Sequence, residues 1–182
     1  NTVVWSRSYS YTLSAIPMFV LMSELIFLSG ISAELFSVFR KWLGALRGGL
    51  ALATVGASAL FAAACGSSVA STATMGIVAS KEMQKAGYSD MLSSGAVVAG
   101  GTLGILIPPS TAFIIYGMLT EESIGKLLIA GILPGIVLTL LYMLTVYGAV
   151  LVRPSLGPAA ERSSWLERLV ALRSILWIAI LF

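Results

Sequence analysis

The sequence predicts an all-α, polytopic membrane protein that contains a re-entrant helical hairpin and a discontinuous transmembrane helix. Hydrophobic residues make up 58% of the 182-residue chain and charged residues only 10%, against roughly 25% charged in ordinary globular domains. The charges are spaced so that they leave apolar tracts long enough to cross a bilayer, which takes about 20 residues of helix. Two of these tracts are interrupted near their middles by Gly, Ser, Thr and Pro, around Gly66-Ser67-Ser68 and from Gly104 to Ser110. A soluble core of this size cannot hide so much apolar surface.

The first tract runs from Leu13 to Phe39 with Glu24 and Glu34 as its only charges, long enough for one tilted helix, and Pro17 is tolerated in a first turn. Arg40, Lys41 and Arg47 follow it, so residues 1–47 read as a membrane helix and a cytoplasmic loop. The second tract, Gly48 to Ser80, has no charge, and its middle reads Cys65-Gly66-Ser67-Ser68-Val69-Ala70-Ser71-Thr72. Each flank falls slightly short of a full crossing. Basic residues close both ends, Arg47 before it and Lys81 and Lys85 after it. Such ends belong on the cytoplasmic side, which makes residues 48–87 a re-entrant hairpin with a small polar tip.

The third tract, Met91 to Leu119, is uncharged and carries Pro108-Pro109 near its centre. Two prolines remove two backbone donors and push Ile107 out of the helical region, so residues 88–126 read as two half-helices with an unwound link. The fourth tract, Leu127 to Val152, is expected to bend or break near Gly131-Ile-Leu-Pro134-Gly135, and a transmembrane helix is assigned to 127–153. Residues 154–173 place Trp165, Leu166, Leu169 and Leu172 at helical spacing against Arg162, Glu167, Arg168 and Arg173, the pattern of a helix lying in the membrane interface. The chain begins at Asn1 rather than Met and stops inside an apolar run at Phe182. The expectation is a fragment of a longer protein, with residues 174–182 the truncated start of a next span. The first dozen residues lack the pattern of a signal peptide.

The basic residues test this layout. Of the 11 Lys and Arg side chains, Arg40, Lys41, Arg47, Lys81, Lys85, Arg153, Arg162, Arg168 and Arg173 fall on one side, and Arg7 and Lys126 on the other. That bias fits the cytoplasmic placement of the larger set. Reading the second tract as a single crossing weakens it. The net charge of +3 therefore reflects topology and is no nucleic-acid signature. One cysteine, Cys65, and no histidine leave neither a disulfide framework nor a zinc site to expect.

Interrupted helices have a chemical use. Backbone in the hydrocarbon region must satisfy its own hydrogen bonds, so unwound segments persist where they line a protein cavity. Half-helix N-termini then turn partial positive charge toward anions, and exposed carbonyls serve cations. Hydroxyls and carbonyls are the hard oxygen ligands that a small cation such as sodium wants. Ser67, Ser68, Ser71 and Thr72 cluster at the hairpin tip, and Thr102 and Ser110 flank the second break. Gly, Pro, Ser and Thr also occur in membrane helices simply for packing, but two successive broken tracts, one of them re-entrant by charge, favour a binding site. Glu24, alone inside a span, reads as a hydrogen-bonded contact to a neighbouring helix or subunit, and Cys65 as a buried packing residue. Gly44-x-x-x-Gly48 and Gly131-x-x-x-Gly135 match the helix-packing motif weakly. Gly100-Gly101-x-x-Gly104 lacks the acidic partner and strand of a dinucleotide fingerprint.

At these same residues the sequence resembles the large membrane subunit of tripartite ATP-independent periplasmic (TRAP) transporters, in its N-terminal half. The matching stretches are Ala15-Ile-Pro-Met-Phe-Val-Leu-Met-Ser-Glu24, Leu46-Arg-Gly-Gly-Leu50, Cys65-Gly-Ser-Ser-Val-Ala-Ser-Thr72, Gly101-Thr-Leu-Gly-Ile-Leu-Ile-Pro-Pro-Ser110 and Ala130-Gly-Ile-Leu-Pro-Gly135. The resemblance implies one half of an inverted-repeat elevator transporter in a bacterial inner membrane. It implies sodium as the coupling ion and no other cofactor, and an organic-acid substrate. Its partners would be a periplasmic substrate-binding protein and a small TRAP membrane subunit, sometimes fused. It places Gly66, Ser67, Ser68, Thr102 and Gly104 at a sodium site, and Ser68, Val69, Pro108, Pro109 and Ser110 at the substrate. The alternatives are a divalent-anion/sodium symporter that works without a binding protein, and an intramembrane enzyme or structural anchor. An enzyme would need a nucleophile with a base or paired acids, which the chain does not offer. An anchor needs no broken tracts.

Overall fold

The computed structural model describes residues 28–160 and 164–171, together with residues 17, 18, 21, 22 and 24–26. All regular structure among these residues is helical. The segment before Ser29 is helical where described, and it does not continue into the next helix. Gly30 takes the left-handed conformation (φ 77°), and the Ser29 hydroxyl donates to the Ile26 carbonyl at 2.7 Å. Helix α1 then runs from Ile31 to Leu43, past the expected end at Phe39 and through Arg40 and Lys41. The first tract is therefore two helical pieces. Gly30 makes the difference, because it has no Cβ to penalise a positive φ.

Helix α2, Gly49–Cys65, is apolar on every face and almost entirely buried. A helix of that kind has to sit inside a bundle. Its Ala, Gly and Ser positions let neighbours approach closely: Phe39 of α1 and Met143 of a later helix both lie over Gly56, and Ser58 lies over Gly100. Helix α3, Ser68–Lys85, turns back along α2 after the two-residue link Gly66-Ser67. Helix α4, Asp90–Leu106, packs against both, and α1 covers another side of α2.

Residues 107–110 are non-helical, and α5 resumes at Thr111 and ends at Thr120. Helix α6, Ile124–Val152, crosses α2 and α4 and contacts α5. No break occurs at its Pro134. The flanking Gly131 and Gly135 seat the ring of Phe113, the carbonyl of Leu106 and the side chain of Ile107, and this packing holds the helix through the lost hydrogen bond. The weak Gly131-x-x-x-Gly135 motif is thus used within the chain. The stretches Asp90–Thr120 and Ile124–Val152 are long and apolar enough to cross a membrane, whereas α2 is shorter.

One end of the bundle gathers three chain segments. The Leu50 amide donates to the Tyr88 hydroxyl (3.1 Å), Gly48 to the Gly157 carbonyl (2.9 Å), Ser89 to the Leu156 carbonyl (3.0 Å) and Ala160 to the Gly44 carbonyl (2.9 Å). The start of α2, the α3–α4 connection and the exit from α6 therefore lie together, so α2 and α3 form a hairpin whose ends meet. Arg40 of α1 pairs with Glu82 of α3 at 2.6 Å, and Lys85 lies 3.5 Å from the same carboxylate.

Beyond a short 3-10 turn at Pro154–Leu156, residues 165–171 are helical. Ser164 and Glu167 form a reciprocal cap: the Ser164 amide donates to the carboxylate (3.0 Å) and the Glu167 amide to the serine hydroxyl (3.3 Å). Trp165, Leu166 and Leu169 are exposed, with the Arg168 guanidinium 5.4 Å from the Trp165 ring centre. Arg7, Arg162, Leu172, Arg173 and the run 174–182 lie outside the described residues.

Candidate functional site

The two interruptions meet. Gly66 ends α2 in the left-handed conformation (φ 61°), and the face where a Cβ would stand is filled by the carbonyl of Pro109. The Gly66 carbonyl accepts from Thr111, from its hydroxyl at 3.4 Å and its amide at 3.5 Å. On the other side, a Cβ at Gly104 would stand 2.8 Å from the Ser68 nitrogen and 2.9 Å from the Ser67 carbonyl carbon. Backbone touches backbone at both points because glycines remove the side chains between them. Four helix ends converge here: the C-termini of α2 and α4, and the N-termini of α3 and α5. The first two bring partial negative charge, the last two partial positive charge.

Local sequence explains each end. Ser67 caps α3, its hydroxyl accepting from the Ala70 amide at 3.3 Å, as a helix N-cap does. Helix α3 consequently starts at Ser68, so Ser68, Ser71 and Thr72 stand in its first turns rather than in an open tip. Pro108 and Pro109, joined by a cis peptide bond, form the link after α4. The buried Ser110 spans that link, its hydroxyl donating to the Ile105 carbonyl at 2.7 Å.

The expected site residues do not all share one space. Ser68, Val69 and Thr102 border an open depression of about 420 Å³ together with Thr72, Ala73, Val98 and Ile105. Gly66, Ser67 and Gly104 do not line it; they lie at the backbone junction, Gly104 against Ser67 and Ser68 and Gly66 against Pro109. Pro108 faces a second, apolar cavity of about 410 Å³ between α2 and α6, beside Phe39, Gly56, Ile107 and Met143. Ser110 points its hydroxyl back at the chain, and Pro109 offers its carbonyl to Gly66. Ser71 is buried in the helical core, and the Thr72 hydroxyl donates to the Ser68 carbonyl at 2.8 Å. Thr102 lies exposed at the rim of the depression and donates to the Ala99 carbonyl (2.7 Å).

Three residues join the site that spacing alone did not single out. Thr111 ties α5 to Gly66, and its place as the first helical residue after the break was the available signal. Gly101 admits Thr72 against α4. Tyr142 of α6 lies 3.1 Å from the Thr102 hydroxyl, and nothing in the local sequence of α6 marks it. Glu24, a helical residue, is exposed, and Cys65 is buried beside the hairpin link. Among the described residues no three His, Cys, Asp or Glu side chains come together.

The chain as a whole is similar to known transport proteins. The family model described as "Tripartite ATP-independent periplasmic transporter, DctM component" matches residues 2–182. The C4-dicarboxylate TRAP transporter large permease protein DctM of Pseudomonas aeruginosa is 41% identical over 174 residues, 96% of this chain and 40% of that protein. The ectoine TRAP transporter large permease protein TeaC of Halomonas elongata is 36% identical over 91% of this chain and 38% of its own length. The sialic acid TRAP transporter permease protein SiaT of Haemophilus influenzae is 40% identical over 74% of this chain and 22% of its own length. The chain thus spans about two fifths or less of these curated relatives. With a match along nearly its whole length, the chain belongs to the DctM component family of tripartite ATP-independent periplasmic transporters.

Proposed function

We propose that this chain forms the first half of the large permease of a sodium-coupled importer of organic acids, which a periplasmic binding protein delivers. The permease sits in a bacterial inner membrane with a small membrane subunit and works by elevator-type alternating access. In this reading α2 and α3 enter the membrane from the cytoplasm and return to it, α4 and α5 are the halves of one broken span, α6 crosses fully, and the helix at 165–171 lies in the interface. The observation that carries the proposal is the contact between Gly66-Ser67-Ser68 and Gly104–Ser110, which brings four helix ends to one place.

The C-terminal ends of α2 and α4 suit a cation, and the N-terminal ends of α3 and α5 suit a carboxylate. Sodium is assigned to Gly66, Ser67, Ser68, Thr102 and Gly104. The substrate is assigned to Ser68 and Val69 at the depression and to the Pro108-Pro109-Ser110 link, whose Ser110 hydroxyl already donates to the Ile105 carbonyl. Two relatives carry acids in their names, a C4-dicarboxylate and sialic acid, which supports the substrate class.

The test is uptake by the full-length permease, reconstituted in proteoliposomes with its small subunit and supplied with binding protein and labelled organic acid. Uptake is expected only with an inward sodium gradient and only with the binding protein. Equal uptake under a potassium gradient would defeat the sodium coupling. Uptake without the binding protein would favour the simpler symporter.

A further inference from the structure

Helix α6 carries four hydroxyls, and its two threonines satisfy themselves on their own helix: Thr139 donates to the Gly135 carbonyl at 2.7 Å and Thr145 to the Leu141 carbonyl at 2.8 Å. Tyr142 does not. Its hydroxyl reaches across to α4 and lies 3.1 Å from the Thr102 oxygen. Either oxygen could donate in that pair, but Thr102 has a single proton, and it already goes to the Ala99 carbonyl at 2.7 Å. Tyr142 is therefore the donor. A threonine oxygen has two lone pairs, so one accepts from Tyr142 and one is left at the rim of the depression that Ser68 and Val69 also border.

From this proton count we propose that Tyr142 is a positioning residue for the Thr102 hydroxyl at the sodium site, an inference that rests on the sodium reading above. Threonine in a helix divides between two side-chain rotamers. The Ala99 carbonyl engages the hydroxyl proton, and the Tyr142 hydroxyl engages one lone pair. Together they hold one rotamer and one direction for the remaining lone pair. The partly buried Tyr142 hydroxyl has as its partner a single atom of the candidate ion site. Tyr142 thereby ties α6 to the half-helix that ends at the break.

The experiment measures sodium dependence of uptake in the full-length permease with its partner subunits, comparing Tyr142→Phe, Thr102→Val and the double variant. Tyr142→Phe is expected to raise the half-saturating sodium concentration several-fold while leaving the rate at saturating sodium and the amount in the membrane close to wild type. Thr102→Val should shift it in the same direction, and adding Tyr142→Phe to Thr102→Val should shift it no further. Sodium-induced stabilisation of the purified variants, read as a melting shift, should fall in parallel. If Thr102→Val shifts the sodium dependence and Tyr142→Phe does not, the positioning role is overturned and the sodium site stands. If neither shifts it in a sodium-driven transporter, both fall. A Tyr142→Phe protein that fails to accumulate, or that loses rate at saturating sodium alone, assigns Tyr142 to folding and overturns the proposal.

Discussion

Gly66 lies directly against the carbonyl of Pro109, so the hairpin turn and the broken helix share a backbone contact. Thr111 closes the same junction by donating to the Gly66 carbonyl. The α2–α3 link and the α4–α5 link are thus joined through backbone and one side chain at this junction. Two interruptions separated by two whole helices in sequence form a single structural junction.

Gly66→Ala should damage this junction more than its size suggests. The left-handed conformation costs a residue with a Cβ about 1–2 kcal/mol, and here the added atom also meets a carbonyl oxygen that cannot swing away. We expect a clearly lower melting temperature for the purified full-length protein and loss of most uptake. Wild-type behaviour in both would show that the contact is dispensable.

Gly104→Ala and Gly95→Ala form a matched pair on α4. A Cβ at 104 would press on the Ser67–Ser68 backbone, whereas at 95 it would meet nothing within 4 Å. Replacing an exposed helical glycine by alanine stabilises by up to about 1 kcal/mol. Gly95→Ala should therefore leave melting unchanged or raise it, and Gly104→Ala should lower it. Equal effects would remove the close approach from the account.

How much of this was legible follows from where the information lies. The hairpin link at Gly66-Ser67 and the break at Pro108-Pro109 are local events, set by a glycine, a capping serine and two prolines, and composition reveals them. The continuity of α6 through Pro134 is not local: it depends on Phe113, Leu106 and Ile107 filling the notch at Gly131 and Gly135. The break at Gly30 was missed because a single glycine in an apolar run is common, and only φ 77° shows what it does. For the site, spacing named hydroxyls that the fold divides: Ser68 and Thr102 border one depression, whereas Ser71 and Ser110 are buried. Ser110 turns to Ile105, and Thr102 turns to Ala99 and Tyr142. A partner forty positions away leaves no mark on local spacing.

The hairpin's two ends should be reachable from the same side of the membrane. Leu50 and Tyr88 are hydrogen bonded at that end, and Arg47 and Lys85 are both exposed nearby. Single cysteines at 47 and 85, with Cys65 replaced by alanine, should react with an impermeant maleimide only when the cytoplasmic face is open. Labelling of one from the periplasm would turn the hairpin into a crossing.

Ser110→Ala should cost about 1–3 kcal/mol, the usual penalty for stranding a buried hydrogen-bonding group. The Ser110 hydroxyl is the donor to the Ile105 carbonyl across the break, and surrounding side chains exclude water from it. Thermal melting of the variant checks the size. Ser110→Thr, which keeps the donor but adds a methyl to a buried site, should melt between Ser110→Ala and the wild type.

Gly131 and Gly135 offer a way to disturb the break without touching the candidate site residues. A Cβ at 131 would lie 2.7 Å from the Leu106 carbonyl oxygen and run into the Phe113 ring, while a Cβ at 135 would meet the Ile107 side chain at 2.8 Å. A side chain such as Ile107 can shift, but a backbone carbonyl at the end of α4 cannot shift without moving the link. Overpacking of this kind costs about 1–3 kcal/mol, so Gly131→Ala should destabilise more than Gly135→Ala. Because Leu106 leads directly into Ile107-Pro108-Pro109, the displacement at 131 should also reach the Pro109–Gly66 contact and lower uptake at saturating sodium. Melting and uptake measured side by side decide it: a Gly131→Ala protein that melts lower yet transports at the wild-type rate would show that the break tolerates displacement from the α6 side.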